Sequence, residues 1–183
     1  MISYPQPHKN RITVNIALIS IFSALWVALN FTLAPIGFAL TGLPVIHSVI
    51  IFFTLLLTVW ATNQFGAAST VGVIGSAIVV LAGGPLPVLG FVPAAIILDF
   101  IFLVNRHVLN LKPLNIAVAA IASIVCAFVA ALVNGLLILK LPPAFIFTIW
   151  GGWTIIGGVI GVVLTLPIIG ALERSQVKRV QAE

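Results

Sequence analysis

The chain has very little charge. Three of its 183 residues are acidic and eight are Lys or Arg, so charged residues make up 6% of the sequence. Soluble domains carry about 25% charged residues. Because 62% of the residues are hydrophobic, a soluble fold of this size would lack a polar surface, whereas a bilayer removes the need for one. The composition therefore excludes an ordinary soluble domain and predicts an all-α integral membrane protein.

Motifs for catalysis and redox chemistry are also missing. The single cysteine, Cys126, has no partner for a disulfide or a CxxC motif. The sequence contains no Walker motif, HExxH motif, paired carboxylates or Ser–His pair. We therefore predict no enzyme activity, no cofactor and no ATP hydrolysis by this chain. The net charge of +5 does not indicate nucleic-acid binding, because the basic residues lie at the chain ends and in connections.

Six apolar segments approach the roughly 20 residues that a helix needs to cross a bilayer. Breaks rich in Pro and Gly separate them, including Pro35 with Gly37 and the run Gly83-Gly84-Pro85-Leu86-Pro87, and Pro93 is expected to kink the fourth segment. The first segment is too long for a signal peptide and is expected to remain as a helix. The predicted spans of a single domain, residues 1–183, are Ile12–Leu33, Pro44–Thr62, Ala67–Ala82, Pro87–Val104, Asn115–Leu139 and Ala144–Gly170.

The basic residues give this six-helix bundle an orientation. With six spans, Lys140 alone lies on one side, and seven basic residues lie on the other. Since Lys and Arg accumulate on the cytoplasmic side of membrane proteins, both termini are predicted to be cytoplasmic and the protein multi-pass in a cell membrane. The seven are Lys9, Arg11, Arg106, Lys112, Arg174, Lys178 and Arg179.

Small residues recur at four-residue steps in four of the predicted spans. Such stripes let helix backbones approach closely in lipid, where hydrophobic burial contributes little. Each stripe is explained by packing within the chain or by docking to another membrane subunit, and the first span is the best candidate for docking. Its stripe is Ser20, Ala24 and Ala28; the others are Ala68–Gly72–Ser76, Ser123–Ala127–Ala131–Gly135 and Gly157–Gly161.

Polar and aromatic residues from separate stretches converge at the outer leaflet in this orientation. Polar side chains inside a membrane are costly and usually face the bundle interior or a site. Their convergence predicts a substrate pocket open to the outside. Each has an alternative: the tryptophans as headgroup anchors, Asn134 as an interhelical hydrogen-bonding residue, and His47 as a water-facing residue. The predicted pocket residues are Asn30, Thr41, His47, Asn134, Trp150 and Trp153.

Two further sets of polar residues are assigned no substrate role. Asp99, the one acid within a span, lies near the inner end and either pairs with Arg106 or a neighbouring donor, or relays a proton or cation. His8 and His107 are predicted on the inner side and His47 on the outer side, so no metal site is expected, since ligands must meet within about 2 Å of one ion.

The chain resembles the substrate-capture subunit, or S component, of an energy-coupling factor (ECF) transporter, a class of ABC importers. The resemblance rests on the length, the six spans, the segment Ala24-Leu25-Trp26-Val27-Ala28, the segment Gly66-Ala67-Ala68-Ser69 and the Gly83–Pro87 run. It implies that Ala24 and Ala28, with Ser20, meet a transmembrane T component powered by two cytoplasmic ATPase subunits. It also implies that the loop between spans one and two, residues 34–43, is a lid over the substrate.

The resemblance implies capture of a vitamin, a vitamin precursor or a metal ion. The N-terminus, Met1-Ile2-Ser3-Tyr4, lacks the Met-His start of metal-transporting members. Trp150 and Trp153 suggest stacking on a small flat heterocycle. The competing functions are a stand-alone carrier, which needs a polar path across the bilayer, and an assembly or structural protein. An intramembrane enzyme is disfavoured because no catalytic constellation is found.

Overall fold

The computed structural model describes the backbone of residues 7–175 and the side chains of residues 12–175. Within this range the chain is helical and forms no β-strand. Short turns join the helices, except for the longer connection of residues 105–112. The six helices are α1 (Pro7–Thr41), α2 (Val45–Thr62), α3 (Ala67–Leu81), α4 (Leu86–Val104), α5 (Pro113–Ile138) and α6 (Pro143–Arg174).

Five of these helices are long and apolar enough to cross a membrane: α1 from Ile12 onward, α2, α4, α5 and α6. The protein is thus a multi-pass helical membrane protein. Helix α3 has 15 residues and extends about 22 Å at 1.5 Å per residue. This is less than the hydrocarbon thickness of about 30 Å. The predicted sixth crossing therefore depends on this shorter apolar helix.

The first helix runs beyond the point where the sequence predicts its end. The predicted break at Pro35 and Gly37 is wrong, because Pro35 lies inside α1. A proline within a membrane helix is tolerated when neighbouring helices and side chains compensate for the lost hydrogen bond. Helix α1 ends instead at Thr41. The next residue, Gly42, has a φ of +65°, a left-handed conformation that suits glycine.

Pro93 also differs from the expectation, because it does not lie in the interior of an α-helical segment. Helix α4 opens with a 3₁₀ turn over Leu86–Gly90, and its α-helical part begins at Phe91. Pro93 therefore lies in the first turn of that α-helical part, where a backbone N–H has no partner in its own α-helix and its absence costs little. Pro167, by contrast, lies inside α6, near the end of that helix at Arg174.

The helices form a ring in the spatial order α1, α2, α6, α5, α4, α3, with α3 closing against α1. Helix α2 lies nearest the middle: 72% of its residues are buried, compared with 11% in the most apolar part of α1. The core is built from residues such as Ile51, Phe52 and Leu55 of α2, Phe91 and Leu98 of α4, and Ala127 of α5.

Three of the four small-residue stripes are buried between helices of this chain. A Cβ on Gly72 would lie 2.6 Å from the Cβ of Ala95, and one on Gly157 would lie 2.5 Å from the carbonyl oxygen of Val45. These positions therefore set the close approach of α3 to α4 and of α6 to α2. By contrast, Ser20, Ala24 and Ala28 are exposed on the outside of the bundle.

The charged residues of the described part lie mostly at one end of the bundle. Arg106, Lys112 and Arg174 lie at the end where α4 and α6 finish and α5 begins, and Lys140 lies at the opposite end. The remaining cations of the predicted inner side lie outside the residues whose side chains are described: Lys9, Arg11, Lys178 and Arg179. The same holds for His8.

Candidate functional site

A cavity of about 640 Å³ lies at the end of the bundle opposite Arg106, Lys112 and Arg174. It is formed where α1 and α5 end and where α2, α4 and α6 begin. Its walls are mostly apolar, as is usual for small-molecule sites, which range over roughly 300–1,000 Å³. The lining residues are Asn30, Ala34, Pro35, Phe38, Ala39, Leu43, Pro44, His47, Pro85, Pro87, Phe91, Asn134, Leu139, Leu141, Trp150 and Thr154.

Four of the six predicted pocket residues line this cavity: Asn30, His47, Asn134 and Trp150. They come from α1, α2, α5 and α6, so residues more than 100 positions apart in sequence meet at one depth. Asn30 is held by a 2.8 Å hydrogen bond from its Nδ2 to the carbonyl oxygen of Trp26, one turn earlier. The ring of His47 lies 5.1 Å from the ring of Phe91, centroid to centroid.

The other two predicted pocket residues, Thr41 and Trp153, do not line the cavity. Thr41 is the last residue of α1 and does not lie in a connection; its hydroxyl donates to the carbonyl oxygen of Gly37 and accepts from the N–H of Leu43. Trp153 is exposed and belongs to the outward face of α6 with Ile156 and Ile160. The prediction used depth alone, which does not specify the helix face.

Two segments of π-helix place key residues in the cavity wall. Asn134 lies in the segment Val133–Ile138 at the end of α5, and Trp150 ends the segment Ile146–Trp150 in α6. The wider turn of a π-helix changes the rotational phase of the residues that follow, and such segments occur often at functional sites. Asn134 also packs against the backbone of Gly90, where an added Cβ would lie 2.1 Å from its Oδ1.

The predicted lid, residues 34–43, borders the cavity in a different form. It was expected to be a loop, but all of it up to Thr41 is helical. Ala34, Pro35, Phe38 and Ala39 of this last part of α1 line one wall. Sequence reasoning missed these residues, together with Phe91 and Thr154. Thr154 could have been found from its position one helical turn after Trp150, because residues four apart share a helix face.

The hydroxyl of Thr154 donates to the carbonyl oxygen of Trp150, but each of the four other polar lining residues has a buried polar atom without a hydrogen-bond partner. These atoms are Oδ1 of Asn30, Nε2 of His47, Oδ1 of Asn134 and Nε1 of Trp150. The side chains of Asn30 and Asn134 are 2% and 3% exposed. Leaving such a group unpaired costs about 1–3 kcal/mol. The side chains that carry these atoms line one cavity, which makes it the candidate site for a bound molecule.

At the opposite end of the bundle, Asp99 has a structural role. Its Oδ2 accepts hydrogen bonds from the backbone N–H and the hydroxyl of Ser69, at 2.6 and 2.5 Å. Ser69 lies in the first turn of α3, whose N–H groups have no partners within the helix. Asp99 of α4 therefore caps α3 from outside, which corresponds to the predicted pairing with a neighbouring donor rather than with Arg106.

His107 lies near this cap, in the connection between α4 and α5, and its ring contacts that of Phe65. Burial lowers the pKa of His107, and the charge of Asp99 opposes this shift. Among the residues whose side chains are described, no group of three or more His, Cys, Asp or Glu is arranged to hold a metal ion.

Comparison of the chain with protein-family models, with curated proteins and with solved structures finds no match.

Proposed function

We propose that this protein is the membrane-embedded substrate-binding subunit of an ECF-type importer. It captures a vitamin, a vitamin precursor or a similar small heterocycle from the outer side. It then delivers the substrate by docking to a T component that two separate ATPase subunits power. In this proposal six spans cross the cell membrane, and both termini are cytoplasmic.

The observation that carries the proposal is the cavity at the end of the bundle that has fewer basic residues. Asn30, His47, Asn134 and Trp150 line it, and the interior beneath it is filled by fully buried side chains such as Phe52, Leu55 and Leu98. A site that is accessible at one end and closed towards the other suits a capture subunit. A carrier working alone would need a second access route.

The exposed stripe of α1 gives the docking step a surface. Ser20, Ala24 and Ala28 face away from the bundle, while the opposite face of the same helix packs on α2 and α3. A smooth surface of small residues lets another helix approach closely. The proposal places the T component on this stripe.

The test is purification of the tagged protein from its native membrane, followed by assays of ATP hydrolysis and of ATP-dependent substrate uptake after reconstitution. We expect a second membrane protein and ATPase subunits in the complex. Ala24→Leu and Ala28→Leu are expected to release them, because Leu would fill the docking surface. Ala117→Leu, at an exposed alanine of α5, is the matched control and is expected to retain the complex.

Three results would count against this proposal. Substrate transport in liposomes by the purified chain alone would favour the stand-alone carrier. A partner complex that survives both Ala24→Leu and Ala28→Leu would remove α1 from the docking surface, and a complex without ATPase subunits would instead favour an assembly or structural role.

A further inference from the structure

The polar groups around the cavity define the kind of molecule that it binds. Asn30 has an amide oxygen without a partner, and an amide oxygen only accepts hydrogen bonds. The amide oxygen of Asn134 instead lies against Gly90. Trp150 has an unpartnered indole N–H, which only donates. The Nε2 of His47 donates or accepts according to its tautomer. A complementary ligand therefore needs at least one donor and one acceptor.

The absence of charged side chains from the cavity wall narrows the class of ligand further. None of the lining residues is Asp, Glu, Lys or Arg. Lys140 lies between two lining residues, Leu139 and Leu141, but its own side chain is exposed and is not part of the wall. Because burying an ion without a counter-charge is costly, the wall favours an uncharged ligand.

The aromatic residues indicate the shape of the ligand. Phe38, Phe91, His47 and Trp150 contribute rings to the wall, and aromatic rings bind flat molecules by stacking or by edge-to-face contact. The Pro85 and Pro87 rings add rigid apolar surface beside them.

We propose that the ligand is an uncharged planar nitrogen heterocycle that donates an N–H hydrogen bond to Asn30 and whose acceptor atom binds the indole N–H of Trp150. This inference rests on the proposed capture function and specifies its substrate class. It predicts that the cavity binds neutral ring compounds in preference to cationic and anionic compounds of similar size.

The test is equilibrium dialysis of the purified protein against matched ring compounds. Uracil and the larger lumichrome are neutral and present two N–H donors on one ring. Their 1,3-dimethyl derivatives lack those donors. Orotate adds a carboxylate to the uracil ring, and 1-methylnicotinamide is a flat cation. We expect saturable binding of uracil or lumichrome, weakened roughly 10- to 100-fold by methylation, since an analogue without the donors leaves the amide oxygen of Asn30 unpaired.

Two tryptophan variants connect the binding to this cavity. Trp150→Phe keeps an aromatic ring and removes the N–H, so it is expected to weaken binding of the neutral compound about tenfold. Trp153→Phe, on the exposed face of the same helix, is the control and is expected to leave binding unchanged. Size-exclusion profiles and thermal unfolding of both variants separate a lost contact from a folding defect. If Trp150→Phe does not fold, Asn30→Leu is the replacement variant, and loss of binding is again expected.

Other results of the dialysis series would contradict the proposal in different ways. Equal binding of the methylated compounds, or tighter binding of orotate or 1-methylnicotinamide, would overturn the neutral class while leaving the capture function intact. Binding of orotate that Lys140→Gln abolishes would assign the selectivity to that exposed cation. Absence of saturable binding by every compound in the series would overturn both the ligand class and the capture of small heterocycles.

Discussion

Helices α1 and α5 carry small residues at the same spacing, Ser20-Ala24-Ala28 on one and Ser123-Ala127-Ala131 on the other, and the fold places them in opposite environments. The stripe of α5 is 0% exposed and packs within the bundle. The stripe of α1 is exposed. Identical spacing therefore specifies close approach of a helix, but not whether the approaching helix belongs to the same chain. The following predictions test how firmly the fold separates the two stripes.

The largest effect is expected from Asp99→Leu. Asp99 caps α3, and α3 packs against the face of α1 that lies opposite its exposed stripe. The change removes the acceptor of two hydrogen bonds from Ser69 and leaves both donors unpaired. We expect a loss of roughly 4 kcal/mol in unfolding free energy, at about 1–3 kcal/mol for each unpaired group. Denaturation in mild detergent measures it. Ser69→Ala, which removes the hydroxyl bond alone, is expected to cost about 1 kcal/mol; an equal cost for both variants would contradict the capping role.

Ala127→Leu is expected to destabilise the protein by about 2–3 kcal/mol, because an enlarged side chain in a packed interior forces its neighbours apart. Ala127 is fully buried, and a Cβ on Gly158 would already lie 3.2 Å from the Cβ of Ala127. Thermal unfolding of the purified protein is the measurement.

Ala24→Leu is the counterpart on α1 and is expected to change the stability of the isolated chain by less than about 0.5 kcal/mol, as is usual for surface substitutions. The same unfolding assay applies. A destabilisation as large as that of Ala127→Leu would show that both stripes are packed inside the chain, and the comparison would fail.

The smallest perturbation tests the two faces of α1 directly. In a Cys126→Ala background, nitroxide labels are attached after Ser23→Cys or Ala24→Cys. Ser23 is 3% exposed and Ala24 is exposed, although the two are adjacent. In bilayers we expect a mobile, oxygen-accessible label at position 24 and an immobile, protected one at position 23, measured by electron paramagnetic resonance. Similar accessibility at both positions would be inconsistent with an outward stripe.

Four of the six predicted pocket residues line the cavity and two do not, because depth in the bilayer does not specify the rotation of a helix. Asn30, His47 and Asn134 are polar groups that a bilayer would expel from a lipid-facing position, so their place in the wall follows from their chemistry. Trp150 and Trp153 are equally tolerable on either face, since an indole suits both a pocket and a membrane interface. The sequence could not choose between them; in the structure Trp150, at the end of the π-helical segment Ile146–Trp150, lines the cavity, and Trp153 is exposed.

The loop predicted for residues 34–43 is wrong for a related reason. Pro35 and Gly37 are helix breakers in water, but in α1 they lie within a helix whose neighbours support it. Ile46 of α2 lies so close to Gly37 that an added Cβ would meet its Cβ at 2.4 Å. Local propensity was therefore outweighed by packing between α1 and α2, and the wall of the cavity became a helix.

Composition and hydropathy alone determined that this chain is a multi-pass helical membrane protein, because so few charges cannot cover a water-exposed surface and because each long apolar segment must satisfy its backbone internally. Tertiary structure decided which face of each helix turns inward, which small-residue stripe stays outside, and which polar atoms remain unpaired around one cavity. Those outcomes depend on contacts between distant segments, and the periodicity of a nearly uniform apolar helix carries too little contrast to specify them.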